Sequence, residues 1–538
     1  MATPTCPHFG GLLAPLHRLH RKPPHASLLA CIGLLGLLAC GGSTKTSSPT
    51  AAADVTSKIE TVVVIYGENR SFDNLYGTFP GANGIANALK TPALYQQVDL
   101  DGKTVLANLP AVWGSTADPT WSKVSSLPNL PYRLDAAPIS AGSNVVTPDL
   151  VHRFYQDQMQ INGGANNMYA AYSNRGGLSM GYYDGSSLPM FKLAQQYTLC
   201  DNFFQGAFGG SFLNHQFLIA AAAPQYPNAP ANLKAVLDAN GNLAIDPTSP
   251  TSVTKGAVKF TQDGCVSPDG YAINTILPPY QPSAAPAAPG QDWRLANPAG
   301  DAYEGSAVLP PITGVTTIGD TLTAQNINWK WYAGLWNAAL QEGLTVTDSK
   351  NYQIIWTENP GQPDFEPHHQ PFNYHVRFDP TTANGAAERA AHLKDYEDLL
   401  SDAANGTLPP VVFYKPQGDV NEHPGYADVA TSDAHIASVI AKLQASPQWK
   451  KMAIIVTYDE NGGFWDHVAP PKGDRWGPGT RVPTIIISPY AKTGYVDTTM
   501  YDTTSILKFI TRRFNLKPLA GVRANAGDLT NAFDFTKP

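Results

Sequence analysis

IVTYDENGGFWDHVAPP, running from Ile455 to Pro471, begins as an apolar strand and stops abruptly at two adjacent carboxylates, Asp459 and Glu460. A Gly-Gly turn follows, then Asp466-His467 and a proline stop. Adjacent carboxylates at the exposed end of a buried strand repel each other and lose solvation, so a positive charge is expected between them. A divalent cation is the simplest candidate.

The same design recurs near the start of the chain. Val62 to Tyr66 is a continuous apolar run, as expected for a strand buried on both faces, and it leads into Gly67-Glu68-Asn69-Arg70-Ser71-Phe72-Asp73. Further strand-like runs are 197–204, 411–414, 453–458 and 484–488, and helical periodicity marks 212–223, 387–400, 433–443 and 504–514. Strands interleaved with helices predict an α/β fold with a mostly parallel central sheet flanked by helices. Between Pro224 and Pro311 the pattern dissolves into Pro, Ala, Gly and Asn, which reads as a long loop insertion or cap that walls a site. Nothing divides residues 59–538 further, and they are expected to form a single domain.

The 538 residues include 10 Trp, 24 Tyr and 20 Phe, enough to fill a sizeable core. Only 15% are charged, and Gly and Pro number 46 each, which suits a loop-rich globular enzyme better than a helical bundle. The net charge is −7 and the body carries no basic block, which argues against a nucleic-acid partner.

The N-terminus is a separate device. Arg18, Arg21 and Lys22 precede an apolar run from Ser27 to Ala39 that is too short to span a bilayer as a mature helix. It ends Leu37-Leu38-Ala39-Cys40-Gly41-Gly42, which resembles a bacterial lipoprotein signal over residues 1–39, with lipidation at Cys40; an ordinary secretion signal cut nearby is the alternative. In that signal family Gly41 permits outer-membrane sorting. The expectation is a protein of a Gram-negative cell envelope, periplasmic or held at the outer membrane through Cys40, or else secreted. Residues 40–58 read as a flexible tether. In the body, Cys200 and Cys265 are expected either to pair or to stay as two buried thiols.

Sites of open α/β sheets lie beyond the carboxyl ends of the strands. Glu68 alone reads as a helix-start charge and Asn69 as a turn former. Set beside Asp459 and Glu460, they make four oxygen donors that could converge on one hard ion, Mg²⁺, Ca²⁺ or Mn²⁺. Gly209-Gly210-Ser211-Phe212-Leu213-Asn214-His215 follows another strand and opens a helix, where free N–H groups attract anions. Ser211 is either a helix cap or a nucleophile. With Leu213 in place of the second glycine, no G-x-S-x-G elbow is present, so a reactive Ser211 would need a metal to activate it. Asn214 falls on the same helix face. His368-His369 is pinned between Pro367 and Pro371, His423 follows the 411–414 strand, and His152 precedes a polar run. His467 reads as a turn anchor behind the acidic pair, and His375, His392 and His435 as structural.

Taken in order, ENRSFD, GGSFLNH, HHQPF, NEHPG and YDENGGFWDHVAPP resemble the bacterial phosphoesterase family of acid phosphatases and phospholipases C, itself similar to the alkaline phosphatase superfamily in fold. The resemblance covers Val62 to about Phe514. It implies a metal held by Glu68, Asn69, Asp459 and Glu460, with Ser211 as nucleophile at its open position. It also implies a phosphate pocket lined by Asn214, His152, His368, His369 and His423. Two departures stand out. Phospholipase C relatives often carry further C-terminal domains, and many have His after the Val-Asp where this chain has Thr498.

These features predict metal-dependent hydrolysis of phosphate monoesters through a phosphoserine. With ligands for one ion only, protonated histidines are expected to replace a second ion, favouring acid pH. A phospholipase C cutting lipid headgroup diesters is the alternative. A binding lipoprotein without catalysis would be expected to lose the costly paired carboxylates. A sulfatase would need a C/S-x-P-x-R setting, which Ser211 lacks. The expected partners are small phosphorylated substrates, with phospholipid under the alternative.

Overall fold

The strand containing Ile455 lies in the middle of an eight-stranded sheet in the computed structural model, which describes residues 55–114, 118–280, 282, 307–346 and 351–537. In chain order the strands are β1 (Thr61–Gly67), β2 (Thr198–Cys200), β3 (Trp329–Ala333), β4 (Leu393–Asp395), β5 (Val411–Lys415), β6 (Met452–Tyr458), β7 (Thr484–Ile487) and β8 (Tyr495–Asp497). They lie side by side as β8-β2-β7-β6-β1-β5-β3-β4. Every pairing is parallel except the two made by β7. The fold is the expected α/β, mostly parallel class.

β1 and β6 are buried along their whole length, which is why each reads as an unbroken apolar run. Gly67 pairs with Tyr458, so Glu68 and Asp459 leave the sheet side by side. On the other flank of β1, Ile65 pairs with Tyr414, so Lys415 ends β5 at nearly the same level. The helix Val429–Ala445 packs on Pro189–Gln196 and Tyr396–Asn405, and Ser211–Ala220 packs on Thr503–Arg513.

Two expected elements divide. The 197–204 run breaks at Asp201, whose side chain accepts from the Asn83 N–H (2.8 Å) and whose carbonyl accepts from Arg481 (2.7 Å). Phe203–Phe204 then pairs with Tyr501–Asp502 in a separate two-stranded sheet. The single helix expected over 387–400 is two, Ala383–His392 and Tyr396–Asn405, with β4 between them. Asp395 forces the break, because it caps the second helix in a reciprocal capping box with Asp398.

Within the 224–311 region, residues 224–280 are loop apart from two single turns, Ala231–Leu233 and Val253–Lys255. Their Leu233, Val266 and Ile273 join a second apolar cluster with Phe154, Phe212 and Phe217. Cys200 lies in the main core and Cys265 in this second one, and both are free thiols. Residues 55–58 form a helical turn with Val55 buried, so the folded body begins inside the expected tether. The signal, Cys40 and residues 41–54 lie outside the described residues.

Candidate active site

The turns after β1, β5 and β6 meet the first turn of the helix Ser211–Ala220. Gly209 precedes that helix at φ +83°, and a Cβ there would collide with the Phe154 backbone. Gly462, at φ +60°, plays the same part against the Asn69 backbone. Gly210 is the N-cap and makes no side-chain cap bond, so Ser211 is the first helical residue and does not cap the helix.

The Ser211 hydroxyl donates to Glu68 Oε2 (3.0 Å), and its oxygen lies 3.5 Å from Asn69 Oδ1. Asn69 is left-handed, at φ 58°, a conformation asparagine tolerates, and its N–H donates to Asp459 Oδ1 (3.1 Å). The same oxygen accepts from the Glu460 N–H (2.8 Å), while Glu460 Oε2 accepts from the Gly462 N–H (2.5 Å). Asp459 Oδ2 and Glu460 Oε1 are buried and accept no hydrogen bond. Burial and the neighbouring Glu68 charge push Asp459 up to about 8, with Lys415 working in the opposite direction. Burial, then Asp459, drives Glu460 well above the ordinary carboxyl range.

The acidic residues therefore gather as expected, and two further side chains join them. Lys415 is fully buried, with its ammonium on Glu68 Oε1. His369 Nε2 lies 3.0 Å from that oxygen and 3.4 Å from Glu366 Oε2. A lysine ending the apolar run VVFYK carries the same signal that marked Glu68, a charge at the end of a buried strand, and sequence reasoning passed over it. His215 was also missed; its Nδ1 lies 2.7 Å from the Ser211 carbonyl.

A cavity of about 320 Å³ opens over Ser211, with His152, His368 and His423 in its wall. His152 Nε2 lies 3.4 Å from Asn69 Nδ2 and 3.6 Å from Glu460 Oε1. The Nδ1 atoms of His152 and His423 face the carbonyls of Leu150 (2.6 Å) and Pro424 (2.5 Å). A carbonyl only accepts, so in each ring the hydrogen sits on Nδ1, and in His423, held neutral by burial, Nε2 keeps its lone pair.

Two expected pocket residues lie beneath the cavity. Asn214 holds the loop before Ser211: its Oδ1 accepts from the Ala207 N–H (2.8 Å), and its amide donates to the carbonyls of Ala207, Gly209 and Gly210 (3.1–3.2 Å). Its polar atoms therefore face backbone. His369 sits behind Glu68. The idea that protonated histidines supply the second positive charge also needs correction. Burial holds His368, His369 and His423 well below the ordinary imidazole range, and Lys415 adds to that in all three. The buried cation is Lys415.

The other histidines are structural. His375 bonds Gln216 and His435 bonds Tyr414, and burial lowers both to about 4. His392 stacks on Trp329 at 4.2 Å. His467 anchors the Gly-Gly turn through Asp73, Nδ1 to Oδ2 2.5 Å. Asp157 steadies the serine loop, accepting from the Gly209 N–H (3.1 Å) and from Gln205 (3.1 Å).

A family model described as the Phosphoesterase family matches residues 59–517. This chain belongs to the Phosphoesterase family. Two relatives show the range of likeness. Phospholipase C A of Mycobacterium tuberculosis is 26% identical over 525 residues, covering 89% of this chain and 78% of its own length. Non-hemolytic phospholipase C of Pseudomonas aeruginosa is 25% identical over 89% of this chain and 58% of its own length. Among solved structures, a protein in the alkaline phosphatase superfamily from Vibrio parahaemolyticus matches 74% of this chain and 75% of its own, at 13% identity and a TM-score of 0.27. That likeness is too remote to add to what the sheet itself shows. Phosphoesterase-family chains hydrolyse phosphoric esters and depend on metal.

The site fits such a metal. Two buried carboxylate oxygens have no hydrogen-bond partner. Ionised Glu68, Asp459 and Glu460, set against Lys415, leave two negative charges, which one divalent ion balances. Among the described residues, the sets of three His or carboxylate ligands drawn within 4.8 Å include Glu68–His215–His369 and Glu366–His368–His369 but not Glu68–Asp459–Glu460. The acidic donors thus stand wider apart than the histidine groups.

Proposed function

We propose that this Phosphoesterase-family chain is an acid phosphatase of broad range that hydrolyses phosphate monoesters through a phosphoserine at Ser211. The observation that carries this reading is Ser211 on the cavity floor, bonded to Glu68 beside two buried carboxylate oxygens without partners. Glu68, Asn69, Asp459 and Glu460 would hold one divalent ion, with the Ser211 hydroxyl beside it. When bound, that ion supplies the positive charge that makes the hydroxyl acidic and draws in the phosphoryl oxygens.

Glu68 Oε2 holds the Ser211 hydrogen, leaving an oxygen lone pair free for phosphorus. Ser211 Oγ forms the new P–O bond as the bond to the leaving oxygen breaks in line. The serine hydrogen passes to Glu68 Oε2, which returns it in the second step. The leaving oxygen takes a hydrogen from solvent and departs as the alcohol. N–H groups of the first helical turn and the fixed Lys415 charge favour the negative phosphoryl group. Asn214 and Asp157 keep the serine loop in place. Water then attacks phosphorus, phosphate leaves, and Ser211 regains its hydrogen.

The wall supports an acid preference. Burial, then Asp364 and Glu358, holds Glu366 well above the ordinary carboxyl range, while Glu358 and Asp149 reach solvent at the rim. These groups line the cavity. Glu366 is neutral in acid and turns anionic as pH rises, when it repels a phosphate dianion.

The names of the relatives favour phospholipase C as a second reading. Nitrophenyl phosphate and nitrophenyl phosphorylcholine, assayed in parallel before and after chelation with metal analysis of the same sample, separate the two. Faster turnover of the monoester supports the first reading. Faster turnover of the diester supports the second, and full activity without metal sinks both. Export and lipidation at Cys40 belong to the proposal. Mass spectrometry of the mature N-terminus tests them, and an unmodified Cys40 removes the anchor.

A further inference from the structure

Glu68 faces two ways. Oε2 receives the Ser211 hydrogen bond, while Oε1 meets the Lys415 ammonium and His369 Nε2. On the Oε1 side, Glu68, His215 and His369 bring three buried ligand atoms within 4.8 Å of one another. The two imidazoles stack at 5.4 Å with only 12° between their planes. His215 Nδ1 faces the Ser211 carbonyl, so its hydrogen sits there and Nε2 presents a lone pair. That Nε2 is buried and has no hydrogen-bond partner. Two neutral imidazoles and one carboxylate are the donor set that zinc and manganese accept.

In enzymes that transfer phosphoryl groups with two metals, the ions lie about 3.5–4 Å apart and clamp the attacking and leaving oxygens. A carboxylate with one oxygen on the nucleophile's side and the other on a second cation suits that arrangement. Here the second cation is an ammonium. Lysine offers a compact point charge on a long stem, and Lys415 is fully buried against Glu68 Oε1. A divalent ion beside it would be repelled. We infer that Lys415 Nζ fills a latent second metal site formed by Glu68, His215 and His369, and so limits this protein to one divalent ion. The inference rests on the metal-dependent reading above.

The full chain, stripped with chelator, loaded with Zn²⁺ or Mn²⁺ and desalted, is analysed for metal per chain by mass spectrometry, with circular dichroism as the check on folding. Wild type is expected to hold one ion and Lys415→Ala two, while the double variant Lys415→Ala/His215→Ala returns to one. His215→Ala alone keeps one, because that residue serves only the latent site. A folded Lys415→Ala with one ion overturns the inference, as does wild type with two. Should Lys415→Ala not fold, the single His215→Ala variant decides: loss of its ion places His215 at the first site and overturns the inference. Wild type with no ion defeats the metal-dependent reading as well, whereas one ion in both wild type and Lys415→Ala defeats this inference alone.

Discussion

Ser211 Oγ donates a 3.0 Å hydrogen bond to Glu68 Oε2, across 143 residues of chain. The bond fixes the hydroxyl rotor, which would otherwise be free to turn its lone pairs away from the cavity. Ser211→Ala should abolish labelled phosphoenzyme in acid-quenched samples and lower kcat by roughly 10⁴-fold or more. Activity within tenfold of wild type would mean that water attacks phosphorus directly.

Asn214 makes four hydrogen bonds to the backbone of Ala207, Gly209 and Gly210 and none into the cavity. Asn214→Leu should cost about 2–4 kcal/mol in denaturant unfolding, since several buried backbone groups lose partners. It should lower kcat while leaving KM for a small monoester nearly unchanged. Unchanged stability with a raised KM would place Asn214 on the substrate.

Glu358, beside Asp364 and Asp149, stands exposed at the cavity rim, where its charge grows as pH rises and solvent screens it. Removing its charge matters only where the charge exists. Glu358→Gln should lower KM for a dianionic monoester at pH 8 by roughly twofold, because solvent screens a charge at the rim, and change less at pH 5. Equal effects at both pH values would assign Glu358 a steric role.

The pair Asp73–His467 predicts a stability window. Burial opposes both charges, yet His467 and Arg481 hold Asp73 below its usual range, and Asp73 holds His467 above its own. A depressed carboxyl stabilises above its unfolded pKa of about 3.9, and that stability is lost as pH falls through the folded value. A raised imidazole stabilises fully below about 6.5, and that part is lost as pH rises through the folded value. His467→Gln should therefore cost most between about pH 4 and 6.5, on the order of 3 kcal/mol, and less above it. Unfolding midpoints across pH check this; a constant difference would mean that the pair acts through packing alone.

What was legible in the sequence followed burial. β1 and β6 announced themselves because both faces are covered, and Glu68, Asp459 and Glu460 stood out because charges rarely end such runs. Lys415 ends β5 in the same way, but one lysine after VVFY reads as a surface residue until its neighbours are known. β4 stayed hidden because Leu393–Asp395 continues a helical pattern, and only the capping role of Asp395 breaks it. Asn214 and His369 lie close to Ser211 and Glu68 but not in the cavity wall, because which way a side chain turns depends on loops remote in sequence. The downward shift of His368, His369 and His423 was equally invisible, because it comes from burial and from neighbours that include the lysine.

Asn274 and Thr275 reach the cavity from residues 224–280, whose buried side chains share an apolar cluster with Phe212 and Leu213 of the Ser211 helix. Rim and nucleophile helix thus lean on one shared patch of apolar packing. A change of composition in that excursion reaches the helix that carries the nucleophile, so an exchange of rim retunes the bond-breaking groups along with what enters.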